Sequence, residues 1–119
     1  MSSVNHKNLP AAKDTQFEAL KQQILALGYV RPGSVVRRFM PCGKAGCRCM
    51  ADPPQLHGPY YQWTYKIKGK TRTVRLTKDQ AHFCELCVDN HRELRRIVRK
   101  MEQHSLKKTD KILGGISRS

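Results

Sequence analysis

Acidic residues are scarce in this chain. Nine aspartates and glutamates stand against 23 lysines and arginines in 119 residues, for a net charge of +14. The few acids are scattered, and the sequence contains neither a phosphate-binding loop nor a nucleophile elbow. We therefore expect no catalytic activity. The excess of positive charge favours a phosphate-rich partner, and a merely solubilising surface or an anionic membrane surface are the alternatives.

Long apolar runs and targeting motifs are lacking as well, so we expect neither a membrane span nor export. The five cysteines are an odd number, which argues against a disulfide framework. Reduced thiols suit a cytoplasmic protein, here one associated with the nucleoid. We predict a single zinc-containing domain over residues 14–103, between a disordered segment 1–13 and a basic flexible tail 104–119.

One short segment combines residue type and spacing in a way that implies chemistry: Cys42, Cys47, Cys49 and His57. Cys47 and Cys49 are two residues apart, so their sulfurs point to one face of an extended segment. Glycines in the loop allow Cys42 to fold back to that face, and a rigid Asp-Pro-Pro turn can return His57. Three thiolates and one imidazole form a closed tetrahedral set, so we predict a structural zinc ion.

Three other interpretations of these four residues stay open. Buried free thiols are one, because cysteine behaves as a small apolar residue. An iron–sulfur cluster is another, although the spacing misses the plant-type pattern by one residue. A catalytic Cys/His pair is the third, and it would need a cleft that a chain of this size hardly provides.

Apolar periodicity predicts two helices. The first begins at Asp14 or Thr15 and ends near Leu27, with one apolar stripe and Gly28 as its stop signal. The second begins at the capping box of residues 77–80 and is long. Its residues at heptad-like spacing form a seam, which comprises Cys84, Cys87, His91, Leu94, Val98 and Met101.

We interpret this seam as core, and a second metal site at Cys84, Cys87 and His91 is the minority alternative. The seam would dock on the sheet, on the first helix or on a second copy of the chain. A homodimer through residues 84–101 is therefore a further alternative.

Three segments have the alternation or composition of β-strands: residues 34–40, 60–67 and 71–77. Lys68-Gly69-Lys70 joins the last two as a hairpin. Together the elements predict an α+β fold: an N-terminal helix, a short three-stranded antiparallel sheet with a zinc-stapled loop, and a long C-terminal helix. Pairing the apolar residues of the hairpin around Trp63 leaves one polar, basic face.

Eleven basic residues and a single acid lie between Arg31 and Lys78, which places the electrostatic footprint on the sheet and the cysteine loop. A β-ribbon can enter the major groove of DNA, with the loop lysine and arginine on the backbone beside it. The predicted nucleic-acid-binding residues are Arg37, Arg38, Lys44, Arg48, Gln62, Thr64, Lys66, Lys68, Lys70, Arg72, Thr73, Arg75 and Lys78. RNA or single strands are an alternative partner if the hairpin aromatics are exposed to stack on bases.

The combination Cys42-Gly43-Lys44-x-Gly46-Cys47-x-Cys49 and His57-Gly58-Pro59-Tyr60-Tyr61, followed by a glycine-turn hairpin and an arginine-rich helix, resembles a family of small uncharacterised bacterial and archaeal proteins. The resemblance covers roughly residues 31–100, and Cys84 and Cys87 are not part of its pattern. Members of that family tend to occur near transposases and integrases. The hairpin and helix also resemble the arm-binding domains of phage-type integrases, which lay a three-stranded sheet in the major groove.

No family-wide activity carries over from this resemblance. The basic sheet face together with the neighbourhood of transposases and integrases predicts a non-catalytic, DNA-binding accessory or regulatory factor of a mobile element. A protein–protein adaptor that docks onto a transposase or recombinase is the alternative of another class. Apolar residues exposed along the seam would favour it.

Overall fold

The computed structural model describes residues 14–114, which form an α+β structure as predicted. Its elements are α1 (Thr15–Leu25), β1 (Ser34–Met40), β2 (His57–Ile67), β3 (Lys70–Leu76) and α2 (Lys78–Ile112). A single 3-10 turn, Arg48–Met50, lies in the loop between β1 and β2. Among the described helices, none has the length and hydropathy needed to cross a membrane.

The chain divides into two compact units. Among the described residues, one comprises 14–27 together with 94–114, and the other comprises Gly28–Glu93. Helix α2 runs through both. The predicted single domain over 14–103 stays a prediction, and the predicted disorder of residues 1–13 lies outside the described part.

The first unit contains α1 and the C-terminal part of α2. Of the two candidate caps, Asp14 and Thr15, it is Asp14 that caps α1: its side chain accepts from the Phe17 N–H at 3.0 Å. The same carboxylate lies 2.6 Å from Nε2 of His104, whose ring stacks on Phe17. Leu20 is buried and Ile97 is completely buried, so this unit has a small core of its own.

The second unit is built on an antiparallel sheet in the order β1-β2-β3. Trp63 pairs with Val35 on one side and with Val74 on the other. β2 and β3 are joined by two residues, Lys68 and Gly69, both at positive φ, which is the geometry of a type I′ turn. Lys70 therefore belongs to β3 and not to the turn, one residue earlier than predicted.

The register separates the sheet into two faces. On the inner face Trp63 packs against Cys84 and Val88 of α2, with Val35, Tyr65 and Leu76 around them. The Trp63 ring is held from the side as well, since its Nε1–H donates to the Pro32 carbonyl at 2.7 Å. The outer face carries the alternate residues, which include Arg38, Gln62, Thr64, Lys66, Thr73 and Arg75.

Helix α2 begins as predicted and ends later than predicted. Thr77 and Gln80 form a reciprocal capping box, each backbone N–H donating to the other side chain. The helix continues past Gln103 to Ile112, so residues 104–112 are helical where the sequence predicts a flexible tail. That segment contains no glycine or proline to stop the helix, and Gly114, at φ +76°, follows its end.

The predicted seam on α2 is confirmed at Cys84 and Cys87, but further along the helix the buried positions differ from the predicted ones. Cys84 and Cys87 are buried, as core residues should be. Further along, Ile97 is the completely buried residue, whereas the predicted Val98 is 38% exposed. A straight helix repeats every 3.6 residues, so a strict heptad count drifts off the buried stripe after a few turns.

Candidate metal centre and basic sheet face

The loop between β1 and β2 brings the four candidate ligands together. Met40 pairs with His57, so the two strands close the loop and place the histidine at its end. Inside it, Cys47 precedes the 3-10 turn and its carbonyl accepts from the Met50 N–H at 2.9 Å. The Arg48 carbonyl accepts from the Gln55 N–H, which ties the second half of the loop to the first.

Gly58 fixes where His57 can lie. Its φ is +143°, and a Cβ built on it would lie 2.8 Å from the Arg38 carbonyl and 2.9 Å from the Phe39 ring. Only glycine combines this backbone conformation with so close an approach to β1. The sequence signal for this close approach is a glycine directly after a candidate histidine ligand.

The distances suit a tetrahedral metal ion. Sγ of Cys42 lies 3.5 Å from Sγ of Cys49, and Sγ of Cys47 lies 3.1 Å from Nε2 of His57. All four ligand atoms lie within 4.8 Å of one another. Tetrahedral zinc with bonds of about 2.3 Å to sulfur separates its ligand atoms by roughly 3.7 Å. The four side chains thus form a candidate metal site that needs only small adjustments to close on an ion.

The electrostatics of the site favour a thiolate at Cys47. A backbone hydrogen bond from Cys49, together with the neighbouring His57, lowers the pKa of the Cys47 thiol to about 6. The backbone N–H of Cys42 points at Sγ of Cys49, at 3.4 Å, as amides do around zinc-bound sulfur. Deprotonated sulfur is what a metal ion requires. The donor set therefore fits zinc chemically as well as geometrically.

Among the cysteine, histidine and acidic side chains of the described residues 14–114, those that could together hold a metal ion are Cys42, Cys47, Cys49 and His57. The minority alternative at Cys84, Cys87 and His91 is not supported. Cys84 instead packs in the core with Trp63, and its burial raises the pKa of its thiol. A buried thiol with a raised pKa is a poor metal ligand and behaves as an apolar residue.

The predicted nucleic-acid-binding residues do not form one surface. The register puts six of them on the outer face of the sheet, which are Arg38, Gln62, Thr64, Lys66, Thr73 and Arg75. Arg37, Lys70 and Arg72 fall instead on the inner face, beside Trp63 and its neighbours. Lys68 is in the hairpin turn, Lys44 and Arg48 are in the cysteine loop, and Lys78 opens α2.

Aromatic rings fix two of the arginines near the sheet. The guanidinium of Arg75 lies 4.1 Å from the centre of the Tyr60 ring on the outer face. Arg75 also pairs directly with Gln62 across the strands. On the other side, the Arg31 guanidinium covers Trp63 at 3.9 Å. Such stacking orients a planar guanidinium and reduces its freedom before any ligand arrives.

Comparison with known proteins identifies a family of unknown function. The model of the family "Domain of unknown function (DUF6788)" matches residues 12–83, which is more than half of the chain. The match includes α1, the sheet, the cysteine loop and the start of α2. No curated protein and no solved structure shows significant similarity to the chain.

Proposed function

We propose that this chain, which belongs to the DUF6788 family, is a non-catalytic zinc protein that binds duplex DNA through the outer face of its sheet. The observation that carries the proposal is the register. It collects three cationic and three hydrogen-bonding side chains on the face opposite the helix-packed core. Arg38, Lys66, Thr73 and Arg75 are exposed there, and Gln62 and Thr64 are half-buried.

The chemistry of that face suits the edges of bases. Arginine pairs through two hydrogen bonds with guanine, and glutamine does the same with adenine. Gln62 and Arg75 are direct cross-strand neighbours, and Tyr60 holds the Arg75 guanidinium. Two antiparallel strands fit the width of the major groove. The outer face would therefore read a short purine-containing sequence, with Lys66 on the phosphate backbone.

The burial of Trp63 favours duplex over single strands. A platform for unpaired bases needs exposed aromatic faces. Trp63 is 7% exposed, its indole N–H is bonded to Pro32, and Tyr65 stacks on it at 3.8 Å between ring centres. Trp63 is the ring on which the single-strand alternative depends most, and it is part of the core of the second unit.

Zinc has a structural role in this proposal. Four protein ligands fill a tetrahedral shell, so no position is left for a substrate or a reactive water. The ion would hold the loop that carries Lys44 and Arg48 against the ends of β1 and β2. Both side chains are exposed on that loop and can reach phosphate groups beside the sheet.

The wider context is proposed on the resemblance noted above: an accessory or regulatory factor of a mobile genetic element, acting in the cytoplasm at the nucleoid. The adaptor alternative, in which the protein docks onto a transposase or recombinase, stands if DNA does not bind. A homodimer through residues 84–101 stays a prediction.

The test compares substitutions of two arginines, Arg72 and Arg75, that lie on the same β-strand, β3. Arg75→Ala removes a charge from the outer face, whereas Arg72→Ala removes the same charge three residues away on the inner face. Binding of a labelled random duplex pool is measured by fluorescence anisotropy at several salt concentrations. We expect Arg75→Ala to weaken binding and to relax the selected sequence, at a cost of roughly 1–3 kcal/mol, and Arg72→Ala to change it little.

Two outcomes would contradict the proposal. Equal losses in both variants would mean that only net charge matters and that the outer face does not read bases. No binding of the unaltered protein to duplex or single strands at low salt would remove the nucleic-acid function, and the adaptor function would take its place.

A further inference from the structure

A second basic surface lies in the first unit, which contains none of the sheet residues of the proposed DNA site. α1 and the C-terminal part of α2 enclose a groove of about 510 Å³. Gln16, Leu20 and Gln23 line it from α1, and Lys100, Lys107 and Lys111 are among the residues that line it from α2. We call it the lysine groove. The last two lysines belong to the helical segment 104–112, for which the sequence predicts a flexible tail.

The groove concentrates charge of one sign. Lys108 also lines it, so four lysines line one concave surface, and none of the described lining residues is acidic. The nearby carboxylate of Asp14 is already used by the Phe17 N–H and His104, which lower its pKa. Exposed helix lysines are usually just solvated. Here a concave wall focuses their field, and the α1 glutamines add amide donors opposite them.

The length of the groove points to an extended ligand. Lys100, Lys107 and Lys111 follow one another along one side of α2. At a rise of about 1.5 Å per residue they span roughly 16 Å. A single phosphate ion needs only one or two of them, whereas a nucleic-acid strand presents a phosphate every 3.4 Å or so along its axis. A row of lysines with this reach matches several phosphates of one backbone.

We propose that the lysine groove binds the phosphate backbone of a nucleic acid, as a second contact separate from the sheet. The inference rests on the proposed function in one respect, since it takes nucleic acid as the ligand. Lysine is suited to the role because its ammonium is a mobile point charge that reads no sequence. The groove would add affinity and salt dependence, while the outer face of the sheet would determine sequence.

Amine footprinting tests the contact directly on the full chain. The protein is acetylated with and without a 30-base-pair duplex, and each lysine is quantified by mass spectrometry. We expect the duplex to protect Lys107 and Lys111, while Lys21, which is on α1, pairs with Glu18 and does not line the groove, stays reactive. The same footprint on Arg75→Ala, at a protein concentration that restores binding, shows whether the two surfaces act separately.

A matched pair of double variants tests the energetics. Lys107→Gln with Lys111→Gln removes two charges from the groove, and Arg95→Gln with Arg99→Gln removes two from exposed positions on α2 that do not line it. Glutamine keeps the helix propensity of lysine and arginine, and circular dichroism confirms the fold. We expect the groove variant alone to reduce the slope of log K against log salt by about two.

Each outcome decides between the two proposals. If the groove variant binds like the arginine control, or Lys107 and Lys111 stay reactive with bound duplex, the groove inference is wrong while the sheet site can stand. If the groove variant loses binding and Arg75→Ala does not, the sheet site is wrong and the groove stands. If the unaltered protein binds no nucleic acid at low salt, both are wrong.

Discussion

Nε2 of His57 lies 3.1 Å from Sγ of Cys47, although nine residues and the whole 3-10 turn separate them in the chain. The contact closes the cysteine loop on the first residue of β2. After the backbone hydrogen bond from Cys49, His57 is the next contributor that lowers the pKa of the Cys47 thiol. The candidate metal site and the pairing of β1 with β2 are therefore coupled at this point.

Replacing Cys47 should remove the metal. We expect the purified protein to carry about one zinc per chain by elemental analysis, and Cys47→Ser to carry none and to melt at a lower temperature, because ligation energy is folding energy. Cys87→Ala is the control, since Cys87 is buried outside the cluster and its loss should leave zinc in place. A metal-free native protein of unchanged stability would exclude the site, and a brown preparation would indicate iron–sulfur.

Gly58→Ala should weaken zinc binding without touching a ligand. The new Cβ would collide with the Arg38 carbonyl and push β2, and with it His57, away from the thiols. Gly43→Ala is matched to it, because Gly43 lies in the same loop at positive φ but has no atom within 4 Å of the added Cβ. We expect Gly43→Ala to cost about 1 kcal/mol of stability and to keep zinc affinity measured by competition with a chelating dye. Equal affinities for the two variants would contradict this role of Gly58.

Removal of zinc by a chelator should distinguish the three cysteines of the candidate metal site from the two cysteines in the core by their rates of alkylation. Cys84 and Cys87 are buried, so neither should react with iodoacetamide while the second unit is folded. We expect mass spectrometry to show three alkyl groups after zinc is removed and five after denaturation. Five groups after chelation alone would show that the core around Trp63 does not survive without metal.

Trp63→Ala should destabilise the second unit by roughly 3–5 kcal/mol, as large aromatic truncations in cores do. Trp63→Phe keeps most of the volume and loses only the hydrogen bond to Pro32, so its cost should be nearer 1 kcal/mol. Urea unfolding followed by circular dichroism measures both. If instead Trp63→Ala is as stable as the unaltered chain and single strands quench the tryptophan fluorescence, the ring is a stacking platform and the partner is single-stranded.

The cap of α1 should give the first unit a measurable acid dependence. The Phe17 N–H and His104 hold the pKa of Asp14 below its usual value of 3.8. Because the folded pKa is the lower one, the carboxylate stabilises the folded state above pH 3.8 and loses that effect as the pH falls through the folded pKa. Asp14→Asn retains a capping oxygen but cannot titrate. The difference in thermal midpoint between the two proteins should therefore shrink below pH 3.8, and a constant difference would contradict the assignment.

Local patterns in the sequence determined most of the secondary structure and the candidate metal ligands. The Thr77–Gln80 capping box, the β1 bounds and the cysteine spacing depend on residues close together in the chain, so they can be recognised without the fold. The cluster of Cys42, Cys47, Cys49 and His57 was recognised in the same way, and the structure brings all four together.

Only the tertiary structure decided which basic residues share a surface. Alternation along one strand separates Arg72 from Arg75, but assigning Arg37 and Arg38 to faces requires their pairing with Tyr61 and Tyr60, which lie more than 20 residues later in the chain. The lysine groove is also tertiary, because its walls come from α1 and from a segment some 80 residues later. Charge composition is a property of the chain, but a binding surface depends on long-range packing, which brings distant segments together.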